Sequence, residues 1–205
     1  NRIRTKLTPA NGRTFLRMRV IDASAYGDRG IDLCDPAFLE TCVAARRVWL
    51  CGWRVVGWPL LDAHAAKVRA TLAPVDRFME PARRLVTELR NGADRLVGVL
   101  VRQTDYRVYR EGRFWLDTPA FRRRLLDVSD LFPGERLRFL LSSDTVQPAG
   151  AFEGLDVAWS PGTRGGNGHL LDTVAAFSMC DLVTGPPSTL AGWCAFLGAK
   201  PYLPL

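Results

Sequence analysis

The sequence predicts an α/β fold organised around a parallel sheet, and three features carry that prediction. Leu96 to Val101, Leu-Val-Gly-Val-Leu-Val, is a nearly continuous apolar run, the pattern of a central strand covered on both faces. Asp181 to Leu197 has the order strand, tight turn, helix. Leu182 to Thr184 suit a short buried strand, Gly185-Pro186-Pro187 stop it, and Leu190, Trp193, Cys194 and Leu197 recur at the spacing of one helical face. Between these stretches, strand patterns at Leu137 to Leu141 and Val157 to Trp159 alternate with helical patterns at Thr118 to Asp130 and His169 to Cys180.

Composition bounds the function. A chain of 205 residues that is 47% hydrophobic and 24% charged can bury a substantial core, in one large or two small domains. No apolar run approaches the roughly 20 residues needed to cross a bilayer and no start resembles a signal peptide, so an integral membrane span is not expected and the expected location is cytoplasmic. Asn1 is not an initiator methionine and the chain stops at Leu205 just after a strand pattern at Lys200 to Leu203, so both ends are expected to be cut. The five cysteines lie mostly in apolar runs without a C-x-x-C spacing, as reduced core residues do. His64 and His169 have no partner at metal-ligand spacing, so no metal is expected. The net charge of +7 is compatible with nucleic acid, but the arginines are scattered and no nucleic-acid motif is present; an anionic small molecule accounts for the charge equally well.

From the N-terminus, Phe15 to Ile21 reads as a strand and Ala25 to Ile31 as a polar surface loop. Asp35-Pro36 starts a helix to about Arg46, Val48 to Cys51 is a strand, and a helix runs from about Leu60 to Leu72. A further helix from about Pro81 ends at Asn91-Gly92, a left-handed stop. A boundary near residue 92 would divide a partial N-terminal lobe, 1–92, from a lobe spanning 93–205.

Two places hold candidate chemistry. In open α/β sheets ligands bind outside the carboxyl ends of the strands, and there the central run delivers Arg102-Gln103-Thr104-Asp105-Tyr106. Arg102 can grip a diphosphate through parallel hydrogen bonds with Asp105 fixing its geometry, or the two can form a plain strand-end salt bridge. Ser188 is a good N-cap, and its helix start can either be an ordinary cap or offer amides and hydroxyls to an anion. The loop Pro161 to Gly168 is expected to be flexible, able to close over a ligand or simply to connect.

These two stretches resemble motifs of the fucosyltransferase superfamily that includes bacterial alpha-1,2-fucosyltransferases, alpha-1,6-fucosyltransferases and protein O-fucosyltransferases. Its last block is similar to Ser178 through Leu197, with Ser188-Thr189-Leu190 opening the helix, although Ala191 and Gly192 replace a serine and a tryptophan often found there. Its central His-x-Arg-x-x-Asp motif is similar to Leu100 through Asp105, with Leu100 replacing the histidine. Asn1-Arg2 resembles the end of a Gly-Asn-Arg loop, and Gly52 to Trp58 a Gly-aromatic loop.

The resemblance implies a GT-B-like glycosyltransferase, with a Rossmann-like parallel-sheet donor lobe at 93–205 and part of an acceptor-side lobe before it. It implies transfer of fucose, or a related sugar, from GDP-fucose to a glycan hydroxyl, inverting and metal-independent. Arg102 would bind the β-phosphate, and Ser143, Asp144, Asp172, Ser188, Thr189 and Leu190 would complete the nucleotide site. Asp172 suits a first-turn cap equally. Trp53, Trp58 and Tyr106 would face the acceptor, with core packing an equal alternative for the tryptophans. The resemblance names no general base; Asp105 is a candidate whose basicity its arginine neighbour would lower. Two other readings stay open: a catalytically silent nucleotide-sugar-binding relative, favoured by Leu100, and a basic nucleic-acid-binding domain.

Overall fold

The computed structural model describes residues 18–45, 47–52 and 55–205, in two compact units that divide at Ala70/Thr71. The first unit contains two parallel strand pairs. β1 (Met18–Asp22) pairs with β3 (Arg47–Cys51), and β2 (Ile31–Asp32) with β4 (Val55–Val56). α1 (Pro36–Val43) is capped by Asp35, whose side chain accepts from the Ala37 amide, with Pro36 in the first turn where its missing N–H costs nothing. Phe38 of this helix packs with Ile21, Ala23 and Ile31 in a small core. The stretch expected as a loop, Ala25 to Ile31, falls mostly in two short 3-10 turns within Ala23–Arg29 that are separated by a kink at Gly27, the first capped by Asp22 over the buried Ala23. α2 (Trp58–Leu72) crosses the division and has no buried residue.

The second unit is a five-stranded, all-parallel sheet in the order β7-β6-β5-β8-β9. Its strands are β5 (Arg95–Val101), β6 (Leu137–Ser143), β7 (Val157–Trp159), β8 (Leu182–Gly185) and β9 (Tyr202–Pro204). Both faces of β5 are covered, as its uninterrupted apolar run requires. Val97, Val99 and Val101 join Phe121, Leu125 and Val128 of α4 (Thr118–Asp130) in one core layer. Leu96 and Leu100 face the other layer, shared by α3 (Asp76–Leu89), α5 (Leu170–Ser178) and α6 (Thr189–Gly198). Gly98 lies between them because Phe177 occupies the space where a side chain would project: a Cβ there would meet that ring at 3.0 Å.

The structure differs from the sequence expectation at the start of α3 and at the division of the chain. α3 begins at Asp76, five residues before Pro81, and carries the proline within it. Its apolar residues Phe78, Ala82 and Val86 recur every four positions and belong to the core of the second unit, so the division lies at 70/71 and not near 92. Arg90, just past this helix, grips Asp181 with both Nη atoms at 2.8 and 2.9 Å, and Asp181 also accepts from the Leu96 amide at 2.9 Å. Burial pushes the Asp181 pKa up, but the Arg90 guanidinium and the Leu96 amide outweigh it and hold the carboxyl below its usual range.

Candidate functional site

The strand order reverses at β5, with β6 on one side and β8 on the other, so the connections leaving β5 and β8 diverge and open a crevice at their carboxyl ends. Two sequence-predicted groups meet this crevice. A cavity of about 300 Å³ is lined by Arg102, Thr104 and Asp105 after β5, Ser142, Ser143 and Asp144 at the end of β6, and Leu190 in the first turn of α6.

Arg102 is locked in place from two sides. Its Nε and Nη2 donate to the two Asp105 carboxylate oxygens at 2.9 and 2.6 Å, and its guanidinium stands 4.8 Å over the Tyr106 ring. Of the five guanidinium N–H groups, this leaves the two on Nη1 and the second on Nη2 for another acceptor. Asp105 raises the Arg102 pKa, and the Arg102 hydrogen bonds hold the exposed Asp105 carboxyl below its usual range. A carboxylate so paired is a poor proton acceptor.

The loop itself is braced by Asp144, whose oxygens accept from the Gln103 amide at 2.8 Å and the Thr104 hydroxyl at 2.6 Å. Asp144 therefore lines the cavity while spending its carboxylate on loop geometry. Ser143 lines it too, with its hydroxyl in a network with Thr145 and Gln147 that reaches the Gln103 side chain.

Across the crevice, α6 starts where its sequence requires. Ser188 has extended backbone angles and its Oγ accepts from the Leu190 amide at 3.2 Å. Ser188 is 9% exposed, whereas Thr189 is exposed at the helix tip. Two tyrosines hold the Gly185-Pro186-Pro187 turn that aims this helix. The Tyr202 hydroxyl donates to the Pro186 carbonyl at 2.8 Å, and the Tyr106 hydroxyl donates to the Pro187 carbonyl. Tyr106 is 6% exposed, so it ties the Arg102 loop to the start of α6, and burial pushes its pKa up.

The chain superposes on POFUT1, a protein O-fucosyltransferase, in complex with GDP-fucose with a TM-score of 0.54 at 12% identity, over 82% of this chain and 56% of that one. A second GDP-fucose crystal form gives 0.53, also at 12% identity, over 82% and 57%, and a GDP complex 0.51 at 12% over 83% and 59%. The fold is fucosyltransferase-like. It matches the GT-B-like α/β architecture, and at this identity the likeness is one of fold. The chain spans less than two thirds of the length of these POFUT1 chains. No protein-family model matches the sequence, and no curated protein matches it in sequence.

Within this fucosyltransferase-like fold, the remaining expected site residues fall as follows. Leu100, at the place of the motif histidine, is buried in the core and lines the cavity. Asp172 is absent from the cavity lining; its carboxylate accepts from the His169 amide at 2.6 Å and closes a capping box with the His169 ring, whose Nδ1 accepts from Leu171. Leu170 of the same helix lines the cavity instead. Trp58 is 68% exposed at the start of α2, and Trp53 lies outside the described residues, as does the Asn1-Arg2 pair.

The loop expected to be flexible is pinned. Arg164 donates its amide to the Ser143 carbonyl at 2.7 Å, the Ser143 amide donates to Thr163 Oγ1 at 2.9 Å, and Gly168 returns to Pro161 at 2.8 Å. The loop residues Gly162, Gly166 and Gly168 are closely packed: a Cβ on Gly162 would stand 2.4 Å from the His169 carbonyl oxygen, one on Gly166 2.5 Å from the Pro161 carbonyl oxygen and one on Gly168 2.6 Å from Pro161. Its Gly-rich composition signals this crowding as readily as motion.

The described residues contain no group of three His, Cys, Asp or Glu side chains that could hold a metal ion, and no helix long and apolar enough to cross a membrane. All five cysteines are unbridged, and burial pushes the Cys194 thiol up to about 12, which keeps it protonated and unreactive at neutral pH.

Proposed function

We propose that the second unit binds the diphosphate of GDP-fucose, or of a related GDP-sugar, and that the protein transfers the sugar to a glycan hydroxyl with inversion and without a metal. The observation that carries this reading is that one cavity at the switch point of a parallel sheet is lined both by a pre-oriented arginine, Arg102, and by the first turn of a helix, at Leu190. Arg102 would offer its unused N–H groups to the β-phosphate, and the amides at the start of α6 would add the positive end of a helix dipole. Both groups would stabilise negative charge as it develops on the departing GDP, which is electrostatic catalysis at the leaving group. The likeness to POFUT1 complexes with GDP-fucose supports the donor class. Asp105 is assigned to holding Arg102, and the acceptor's base is left to groups outside this cavity.

Ser143, Asp144 and Tyr106 act in this reading by shaping the cavity and joining its two walls, while Ser188 and Thr189 present the helix start. Trp53 and Trp58 remain proposed acceptor-side residues of the first unit. The reading is tested by donor turnover measured as release of GDP from GDP-fucose. Turnover is expected to persist in EDTA; activity lost in EDTA and restored by manganese would overturn the metal-independent mechanism. A second reading, nucleotide-sugar binding without catalysis, is favoured by Leu100: GDP binding without any turnover would select it.

A further inference from the structure

The segment after Asp105 contains a cluster that the donor site does not use. Two 3-10 turns, Asp105–Arg107 and Tyr109–Gly112, carry Arg107 and Arg110, Arg113 caps the second, and each guanidinium stands over an aromatic ring. Arg107 is 5.7 Å from the centroid of Trp115, Arg110 is 5.8 Å from Tyr109 and Arg113 is 5.6 Å from Phe114. All three arginines are exposed, and among the described residues none has a carboxylate in ion-pair range. By contrast Arg90, Arg95, Arg102, Arg136 and Arg138 each hold one. The backbone is also held in an unusual state: Arg110, Glu111 and Gly112 have φ of 47°, 60° and 75°, three successive left-handed residues of which two are not glycine. Such strain persists where the surroundings over-determine it, often at ligand sites.

We propose that this loop is a binding site for an acidic saccharide, one bearing uronic acid carboxylates, and that it selects the acceptor. Tyr109 is 48% exposed and Phe114 and Trp115 are partly exposed, so beside their arginines the rings leave apolar surface for the C–H faces of pyranose rings, and the arginines offer planar N–H pairs that match a carboxylate. The chain reaches this cluster immediately after Arg102 and Asp105, which line the donor cavity, so a sugar held here would lie beside the donor end of the same loop. Mixed arginines and aromatic rings also occur in single-strand nucleic acid sites. A phosphodiester chain, however, gains its affinity from many phosphate contacts along an extended basic track, whereas this cluster holds three arginines within seven residues.

The role as acceptor site rests on the donor reading; the binding itself does not. The test uses the full chain and a triple variant, Arg107→Gln with Arg110→Gln and Arg113→Gln, checked for an unchanged thermal transition. An oligosaccharide of alternating glucuronic acid and N-acetylglucosamine is titrated against each, alongside its carboxyl-reduced neutral form, a short single-stranded RNA and GDP. The expected result is acidic oligosaccharide binding to the wild type that falls at least about tenfold on carboxyl reduction and again in the variant, with GDP affinity unaltered. Equal affinity for the reduced form, equal affinity in the variant, or tighter binding of RNA than of the saccharide would overturn the proposal. If the variant loses its fold, Arg110→Gln with Arg113→Gln gives the same comparison. Saccharide binding by a wild type that ignores GDP would overturn the donor reading and leave this site standing.

Discussion

Arg102→Ala is expected to weaken GDP binding by about one to two orders of magnitude, since a charged hydrogen bond to phosphate is worth roughly 1.5 to 3 kcal/mol. The fold should survive. The pair with Asp105 is half exposed on the carboxylate side, and such pairs contribute at most about 1 kcal/mol. The Tyr106 ring beneath the guanidinium keeps its own anchor at Pro187. Calorimetric titration of the folded variant checks this. GDP affinity equal to wild type would return Arg102 to a strand-end salt bridge with no ligand role.

Gly185→Ala is expected to be strongly destabilising. Gly185 ends β8 with a φ of 147°, which L residues rarely adopt, and a Cβ there would lie 2.6 Å from the Leu100 carbonyl oxygen and 3.1 Å from the Leu100 Cβ. Neither atom can yield cheaply, because Leu100 is a core residue of the central strand. Backbone strain and overpacking together should cost roughly 3 kcal/mol or more. Denaturant midpoints with an unchanged slope measure it. The same turn sets the start of α6, so GDP affinity should fall in any fraction that remains folded. A variant within about 0.5 kcal/mol of wild type would mean that the turn is not constrained in this way.

The α/β class, the central strand and the Ser188 cap were legible in the sequence because each is a local pattern: an apolar run, a proline-glycine stop, a hydroxyl before a helical stripe. The pairing of Arg102 with Asp105 was legible for the same reason, since three residues separate them. Long-range contacts were not. Tyr202 holding the Pro186 carbonyl depends on β9 lying beside β8, and Asp144 bracing Gln103 and Thr104 depends on the register of β5 with β6. Neither partner carries a local signature. The burial of Tyr106 against the Pro187 carbonyl is likewise a tertiary fact. Pro161 to Gly168 invited flexibility because close packing against His169 and Thr173 cannot be seen in glycine content. The division at 70/71 went unread because Pro81 masked the first turn of α3, whose Phe78 already belongs to the second core.

The central claim is a diphosphate site at the switch point between β5 and β8, and titration of the wild-type chain with GDP and with GMP tests it most directly. If Arg102 and the start of α6 hold the β-phosphate, GDP should bind at one saturable site at least about tenfold more tightly than GMP, which lacks that phosphate. GMP binding as tightly as GDP, or no saturable binding of either, would contradict it.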